Sequence, residues 1–270
     1  MNQPLKFLLI GVSTLLINTS LLAQSTPPQG LKLDVPDSVL ETYTEYWHVF
    51  KYQGSKQFPA ALFKMKNLKT LRVTGIHGET VFDQRFNNLR HLKNLHLDLS
   101  STVTRLPEQI FQFTDLENLY LAFANIEVLP DKFDVFENLK SLKFERFRKL
   151  KAIPNSVREL SDTLEELMFY ECGEIARYPE YLNNFSKLTS LVIYTAYHSK
   201  YKVNPEINFR LDSFPVIEEL AIQGLESRTP LPGVEDMPLT IKKLSLSRML
   251  WPKELMDKIR TRHKEARVIL

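Results

Sequence analysis

The sequence is poor in cysteine, glycine and net charge, and each shortage excludes a class of protein. Cys172 is the only cysteine in 270 residues, so an intramolecular disulfide is impossible, and a bacterial exported protein is favoured over an animal or plant one. The 8 glycines leave no phosphate-binding loop, and the 6 histidines lack zinc-ligand spacing, so we expect no cofactor and no metal site. A formal net charge of +3 is too small to predict nucleic acid or an anionic membrane as the partner.

Long apolar runs are also missing, apart from one at the N-terminus. Lys6 precedes a mostly apolar segment at 7–17, and the residues LLA at 21–23 form a plausible cleavage site. This pattern predicts a signal peptide at 1–23, followed by an exposed tail at 24–30. A membrane anchor is the alternative, but polar residues interrupt the run well short of the roughly 20 residues that a span needs. We therefore expect an exported protein, periplasmic, on the cell surface or extracellular, without stable membrane insertion.

The chain is rich in an internal repeat of the pattern Leu-x-x-Leu-x-apolar. Eight copies follow one another at steps of 24, 24, 23, 25, 24, 29 and 24 residues, starting at Leu68, Leu92, Leu116, Leu139, Leu164, Leu188, Ile217 and Ile241. A fixed period in the twenties predicts a solenoid, in which each unit buries its apolar edge only by stacking on its neighbours. Within a unit, the alternation predicts a short strand, and because every unit runs the same way the strands must be parallel.

The return path of each unit carries a second signature. A proline preceded by an apolar residue stands nine or ten residues before the next strand motif in five places, at Pro59, Pro107, Pro130, Pro154 and Pro179. Apolar residues then follow at steps of three, which fits a narrow 3₁₀ or extended turn better than an α-helix. Proline suits such a turn because it fixes φ and favours an extended conformation of the residue before it.

Together the two signatures, as in LPEQIFQFTDLENLYL and LPDKFDVFENLKSL, resemble the leucine-rich repeat superfamily, and within it the bacterial and Leu-Pro-type repeats. The resemblance implies an α/β fold, a leucine-rich-repeat solenoid of about eight repeats plus caps. It implies a curved horseshoe with the parallel β-sheet on the concave face, short 3₁₀ or irregular convex segments, and the sheet as the usual ligand surface. The Asn or Cys that the family carries in its turns is largely missing here, so these turns must satisfy their backbone groups in another way.

The two ends of the array lack the repeat and are predicted to cap it. An aromatic-rich stretch lies in the N-terminal segment at 24–57, and the repeats follow at 58–250. In the C-terminal cap at 251–270, a Pro-x-x-apolar turn leads into a basic helical segment at 253–264 and a final edge strand at 267–270. We interpret the basic residues as a solvated face, with an anionic partner as the alternative.

Alternate strand positions define the outward surface of the sheet and the candidate partner-binding residues. In chain order these are Arg72, His96, Asp98, Tyr120, Lys143, Glu145, Met168, Tyr170, Val192 and Tyr194. Units five and six bring two tyrosines, a methionine and a valine of this set together, which predicts an exposed apolar and aromatic patch beside a charged flank. The sixth unit carries an insertion with Tyr197 and Tyr201, which must loop out and which we add as candidates; a tolerated insertion without function is the equal alternative.

No constellation for catalysis emerges from the sequence, and no catalytic residue is predicted. His96 and Asp98 share one face of a strand, so an acid–base pair is conceivable, but an open sheet excludes no water. Cys172 occupies an inward turn position, which favours packing over nucleophilic chemistry. Basic residues of the predicted concave face are scattered among acidic ones, so nucleic acid is not expected as a partner.

We therefore expect a non-enzymatic exported interaction module that binds a protein or peptide on its concave sheet face. The alternative is a carbohydrate-binding or envelope-associated structural protein, in which the same aromatic residues would stack on a glycan. The sequence leaves the oligomeric state open.

Overall fold

The computed structural model describes residues 33–51, 54–195, 204–247 and 249–270, and ten of its strands form one parallel sheet. The predicted signal peptide, the tail at 24–30 and the insertion residues Tyr197 and Tyr201 lie outside the described residues. In chain order the strands are β1 (Glu45–Val49), β2 (Thr70–Ile76), β3 (Asn94–Leu99), β4 (Asn118–Ala122), β5 (Ser141–Glu145), β6 (Glu166–Tyr170), β7 (Arg177–Tyr178), β8 (Ser190–Tyr194), β9 (Glu206–Ile207), β10 (Glu219–Gln223), β11 (Lys243–Ser245) and β12 (Arg267–Ile269). The large sheet omits β7 and β9, which pair with each other.

Successive strands of the large sheet pair in register, so equivalent positions of the repeat form columns across it. One inward column, at most 3% exposed throughout, consists of Leu71, Leu95, Leu119, Leu142, Leu167, Leu191, Leu220 and Leu244. Burial of such a side chain contributes roughly 1.5–3 kcal/mol, so the column alone strongly favours this register. The predicted parallel solenoid is confirmed.

The return segments are short 3₁₀ helices, as the three-residue spacing predicts. In the described residues they span Ala60–Lys64, Gln84–Asn88, Glu108–Gln112, Phe133–Val135, Asn155–Leu160, Glu180–Asn184, Leu211–Ser213 and Val234–Asp236. A proline stands directly before four of them, at Pro59, Pro107, Pro154 and Pro179. The second repeat has Asp83 instead, and its carboxylate accepts a hydrogen bond from the Arg85 N–H at 2.9 Å. A side-chain cap therefore replaces the proline there.

Aromatic side chains fill the space between the sheet and the 3₁₀ helices. Phe144 and Phe169, from adjacent strands, stack with ring centres 5.5 Å apart and planes 10° from parallel. The ring of Tyr178 packs edge-on against Phe169 at 5.6 Å. Offset and edge-to-face pairs of this kind add about 0.5–1.5 kcal/mol each to the effect of burial. Ring contacts therefore connect neighbouring repeats through the core as the leucine column does at the sheet.

The turns that lack the family's Asn ladder are satisfied by contacts between neighbouring repeats. The Gly78 N–H donates to Thr102 Oγ1 at 3.0 Å, and the Asn125 side chain donates to the Ser101 carbonyl at 2.8 Å. The Cys172 thiol lies 3.6 Å from a backbone carbonyl of the preceding repeat. Each contact reaches one repeat back or forward, so the turns also hold the stack together.

The two ends of the sheet are built differently. At the C-terminal end, helix α2 (Lys253–Arg262) buries Leu255 and Ile259, and β12 adds the predicted edge strand. At the N-terminal end, helix α1 (Asp37–Leu40) precedes β1, which pairs in parallel with β2. The sequence predicts only an aromatic-rich cap there, whereas this stretch also contributes a strand of the sheet. Among the described residues, neither helix has the length and apolar character for crossing a membrane.

The irregular sixth unit is anchored on both sides of its insertion. Before it, the Thr195 N–H donates to the Gln223 carbonyl at 3.0 Å. After it, the Asn204 side chain donates to the Glu226 carbonyl at 2.9 Å and accepts from the Glu226 N–H at 3.2 Å. Gly224 lies beneath Thr195 with φ of +78°, and a Cβ there would be 2.0 Å from the Thr195 carbonyl oxygen. Any other residue at position 224 would displace the Thr195 backbone, so only glycine fits there.

Candidate partner-binding surface

All ten sheet residues predicted as partner contacts lie on the concave face, in two adjacent columns. The middle column is Arg72, His96, Tyr120, Lys143, Met168, Val192, Ala221 and Ser245. The column beside it, on the C-terminal side of each strand, is Asp98, Ala122, Glu145, Tyr170, Tyr194 and Gln223. The parallel register therefore brings residues about 24 positions apart in sequence into direct contact.

Arg72 connects the first strand to the histidine of the next repeat. Its guanidinium carbon lies 4.7 Å from the Trp47 ring centre, and its Nη2 lies 3.4 Å from His96 Nδ1. His96 Nε2 is 2.7 Å from an Asp98 carboxylate oxygen. The imidazole of His96 therefore lies between a guanidinium and a carboxylate and links Arg72 to Asp98.

Tyr120 continues this polar network toward the C-terminal half. Its ring stacks on His96 with ring centres 4.2 Å apart, and its hydroxyl donates to the Glu145 carboxylate. Burial raises the pKa of Tyr120, and the hydrogen bond to Glu145 raises it further. The phenol is therefore a neutral donor whose acceptor is already in place, which suits a rigid surface and not proton transfer.

Lys143 and Glu166 form the next pair on this face. Lys143 Nζ lies 2.5 Å from a Glu166 carboxylate oxygen, which also accepts from Ser141 Oγ at 3.0 Å. Burial would raise the pKa of Glu166, but the bonds from Lys143 and Ser141 outweigh it and lower that pKa. Glu166 therefore stays ionised, and the charges of this half of the face are largely paired within the molecule.

Tyr170 and Tyr194 form a second aromatic pair of the candidate surface, and the sheet places them side by side. Their ring centres are 4.7 Å apart and their planes 18° from parallel, so one face of each ring covers one face of the other. Burial raises the pKa of Tyr170, and the neighbouring Tyr194 and glutamates raise it further. Both residues remain half-buried, and the contact leaves the opposite face of each ring uncovered by its partner.

The predicted exposure of Met168 and Val192 is wrong. Both side chains lie on the concave side as predicted, but they are only 4% and 6% exposed, and the neighbouring Ala221 is also buried. The middle column lies between two columns of outward side chains, and in β6 these are the longer Glu166 and Tyr170. The apolar part of the predicted patch is therefore buried, and its two tyrosines are the members that stay half-buried.

The structure also reveals a rim at the C-terminal ends of three successive strands, which sequence reasoning missed. Phe123, Arg146 and Glu171 each follow a strand directly and have φ of 65°, 56° and 53°. Non-glycine residues rarely adopt this conformation, and the equivalent positions in two other repeats are Gly75 and Gly224. The Arg146 guanidinium carbon lies 5.0 Å from the Phe123 ring centre, and its Nε lies 3.0 Å from a Glu171 oxygen. Glycine at the two equivalent positions was the only sequence signal for this conformation.

The described residues offer contact surfaces and no evident reactive group. Cys172 is 1% exposed, and burial raises the pKa of its thiol to about 12, so it is a packing residue and not a nucleophile. No group of three or more His, Cys, Asp or Glu side chains in the described part of the chain is arranged to hold a metal ion. The predicted contacts Tyr197 and Tyr201 lie outside the described residues.

Stacked parallel strands with 3₁₀ return segments define a repeat protein of the solenoid class. A family profile described as "Leucine-rich repeat region" matches residues 47–264. This chain belongs to the leucine-rich repeat family. The fold is commonly a protein-interaction module, and its members are typically binding scaffolds and not enzymes.

Of three solved structures to which the chain is similar, one has a TM-score above 0.5. A TDR receptor structure has 15% identity and a TM-score of 0.54, covering 83% of this chain and 43% of that one. The ectodomain of the plant membrane receptor kinase GASSHO1/SCHENGEN3 from Arabidopsis thaliana, in complex with CASPARIAN STRIP INTEGRITY FACTOR 2, has 14% identity and a TM-score of 0.47, covering 87% and 34%. A leucine-rich repeat protein of Leptospira interrogans has 16% identity and a TM-score of 0.36, covering 92% and 88%. The chain thus spans less than half of the length of the first two structures, and no curated protein matches it significantly.

Proposed function

We propose that this chain is an exported, non-enzymatic module that binds a protein or peptide on the concave face of its sheet. The observation that carries the proposal is the pair of half-exposed tyrosines, Tyr170 and Tyr194, stacked at 4.7 Å on two adjacent strands. Each tyrosine supplies a large amphipathic surface with only two side-chain torsions, and the mutual stacking already restricts both. Binding at this pair therefore loses little conformational entropy.

The polar half of the concave face supports specific recognition beside the tyrosines. Arg72, His96 and Tyr120 hold one another through a hydrogen bond and ring contacts, and Lys143 is paired with Glu166. Side chains that are fixed before binding present donors and acceptors in defined positions. Because most of these charges are neutralised internally, the face selects a partner by geometry more than by net charge.

The second candidate function is carbohydrate binding, as in an envelope-associated structural protein. Stacking on a sugar requires a free aromatic face, and the contact between Tyr170 and Tyr194 covers one face of each ring. The contact leaves the other face of each ring uncovered by its partner, so the pair could also stack on a sugar. The first function is preferred because the leucine-rich repeat fold is commonly a protein-interaction module.

The experiment is a pull-down with residues 24–270 from the envelope fraction of the source organism. The Tyr170→Ala/Tyr194→Ala double variant removes the pair, while the matched Tyr170→Phe/Tyr194→Phe variant keeps both rings and their stacking. We expect one protein to be retained by the wild type and the phenylalanine variant and to be lost from the alanine variant. Circular dichroism checks that all three proteins are folded.

Retention of the same proteins by the alanine variant would contradict the assignment of the binding surface. A parallel column of peptidoglycan or polysaccharide tests the second function with the same three proteins. Retention there that free sugar competes away, and that the alanine variant loses, would replace the first function by the second.

A further inference from the structure

The outer edge of β1 is unpaired in the part of the chain that the structure describes. β1 is the first strand of the sheet order, with β2 on one side and no described strand on the other. Its sequence EYWHV is aromatic and β-branched, and it contains neither the lysine nor the proline that commonly protect sheet edges. The Val49 side chain is 62% exposed. This edge therefore has the composition of a strand that pairs with another.

Hydrogen bonds between β1 and β2 determine which backbone groups face the open edge. The Thr70 N–H donates to the Thr44 carbonyl at 3.0 Å, and the Phe50 N–H donates to the Thr74 carbonyl at 3.0 Å. Even-numbered residues of this segment thus point their N–H and C=O groups toward β2. Along a strand these groups point alternately to the two sides.

The odd-numbered residues Glu45, Trp47 and Val49 consequently point their N–H and C=O groups away from the sheet. No hydrogen bond from these backbone groups to another described residue is present. In an antiparallel pair, every second residue of a strand bonds to the neighbour. A five-residue strand therefore needs three residues with outward groups to pair along its whole length. All three outward residues of β1 thus offer both of their backbone groups for pairing with another strand.

We propose that a second copy of this chain pairs with this edge, β1 against β1, antiparallel and about a two-fold axis at Trp47. In this register Trp47 lies opposite itself, and Glu45 lies opposite Val49 of the partner subunit. Each of the three pairs exchanges two backbone hydrogen bonds, and the same surface serves both subunits, as a closed symmetric dimer requires.

The charge of Glu45 favours the register with the axis at Trp47 over the register with the axis at Glu45. Glu45 is the only charged group among the outward residues, and the axis at Trp47 places it opposite an exposed valine. An axis at Glu45 would instead set two glutamates directly opposite each other, which destabilises a strand pair. The register that uses all three outward residues is therefore also the one without like-charge contact.

The opposite edge of the sheet is a weaker template and serves as the control. β12 has three residues, and its bonds to β11 run from the Arg267 N–H to Lys242 and from the Leu246 N–H to the Ile269 carbonyl. By the same alternation only Val268 presents both backbone groups outward. Pairing there offers one complete residue pair within the strand, against three at β1.

Two substitutions of one exposed residue test the register. Val49→Lys places a lysine opposite the partner's Glu45, whereas Val49→Glu places a glutamate there, and each change occurs twice in the dimer. We expect the dissociation constant of the dimer to rise about 2- to 30-fold in Val49→Glu and to fall in Val49→Lys. Sedimentation velocity over a concentration series at low ionic strength measures both shifts, with Ile269→Lys and Ile269→Glu, beside the outward Ser245, as charge-matched controls.

A purely monomeric wild type at every concentration would overturn the proposal, and so would equal dissociation of the Val49→Lys and Val49→Glu dimers. A disulfide test is independent of dimer strength. Paired residues that exchange both hydrogen bonds have Cα atoms about 5.5 Å apart, which a disulfide can bridge. Trp47→Cys should therefore form a covalent dimer on mild oxidation and Val268→Cys should not, while the buried Cys172 stays inert. Equal cross-linking of the two variants would contradict the axis at Trp47.

Discussion

Replacing Tyr178 by phenylalanine removes one oxygen atom from the core and should stabilise the protein. The Tyr178 side chain is 0% exposed, and its hydroxyl has no hydrogen-bond partner among the described residues. Burial raises the pKa of Tyr178 far above its ordinary value, and the neighbouring Cys172 adds to this effect. The phenol is therefore a neutral donor that loses its hydrogen bond to water on folding and gains none in return.

The expected gain follows from the cost of an unsatisfied polar group. A buried hydroxyl without a partner costs about 1–3 kcal/mol, so Tyr178→Phe should raise the free energy of unfolding by about that amount. For a unit the size of residues 33–270, the entropy of unfolding is about 0.5 kcal/mol per kelvin. The midpoint of thermal unfolding should therefore rise by roughly 2–6 °C.

A tyrosine three residues away provides the matched control. The Tyr181 hydroxyl donates to the Pro154 carbonyl at 3.0 Å, so Tyr181→Phe deletes the same atom but breaks an existing hydrogen bond. That change should lower the free energy of unfolding by about 0.5–1.5 kcal/mol. Scanning calorimetry and guanidinium titration of the three proteins measure both shifts. If Tyr178→Phe destabilises as much as Tyr181→Phe, the hydroxyl has a partner and the reasoning fails.

Two further predictions concern acid stability and the left-handed turns. Burial lowers the pKa of His48 and of His263 below the ordinary 6.5, so the unfolded chain binds more protons, and stability should fall as the pH drops below about 6.5. Thermal midpoints between pH 8 and pH 5 check this, and His48→Phe should flatten the dependence; an equally steep profile in that variant would contradict it. Gly224→Ala should cost about 2 kcal/mol or more because of its positive φ and the close Thr195 carbonyl, whereas Phe123→Gly should stay within about 1 kcal/mol of the wild type. Urea titration compares the two, and equal losses would refute the argument.

The repetitive part of the fold was predictable because one pattern recurs in register. The alternation in Leu119 and Leu121 fixes which side of a strand is inward, and eight copies remove the ambiguity of a single short strand. The prolines likewise predict the 3₁₀ helices, since φ near −65° suits the entry to such a turn. The sequence pattern of one repeat is enough to predict the structure wherever that repeat packs only against others of the same kind.

The features that were not predicted depend on contacts between different side chains. Burial of Met168 follows from the outward side chains beside it in the columns, which the pattern of one strand does not contain. The hydrogen bond from Tyr120 to Glu145 joins residues of two repeats and needs their relative rotamers. The left-handed conformation of Phe123 contradicts its intrinsic preference and is imposed by the turn around it. The N-terminal strand has no repeat motif, so only its pairing with β2 reveals it.

The register of the sheet also has a consequence for how the chain folds. Paired residues in the described sheet are separated by at most 29 positions along the chain, the distance from Ser190 to Glu219. The entropy of closing such short loops grows only slowly with length, and nearly the same step is repeated at every strand. Folding can therefore nucleate within one pair of repeats and extend to the next, and low contact order favours speed. A chain that emerges N-terminus first can order its units one after another, before its C-terminal residues are available.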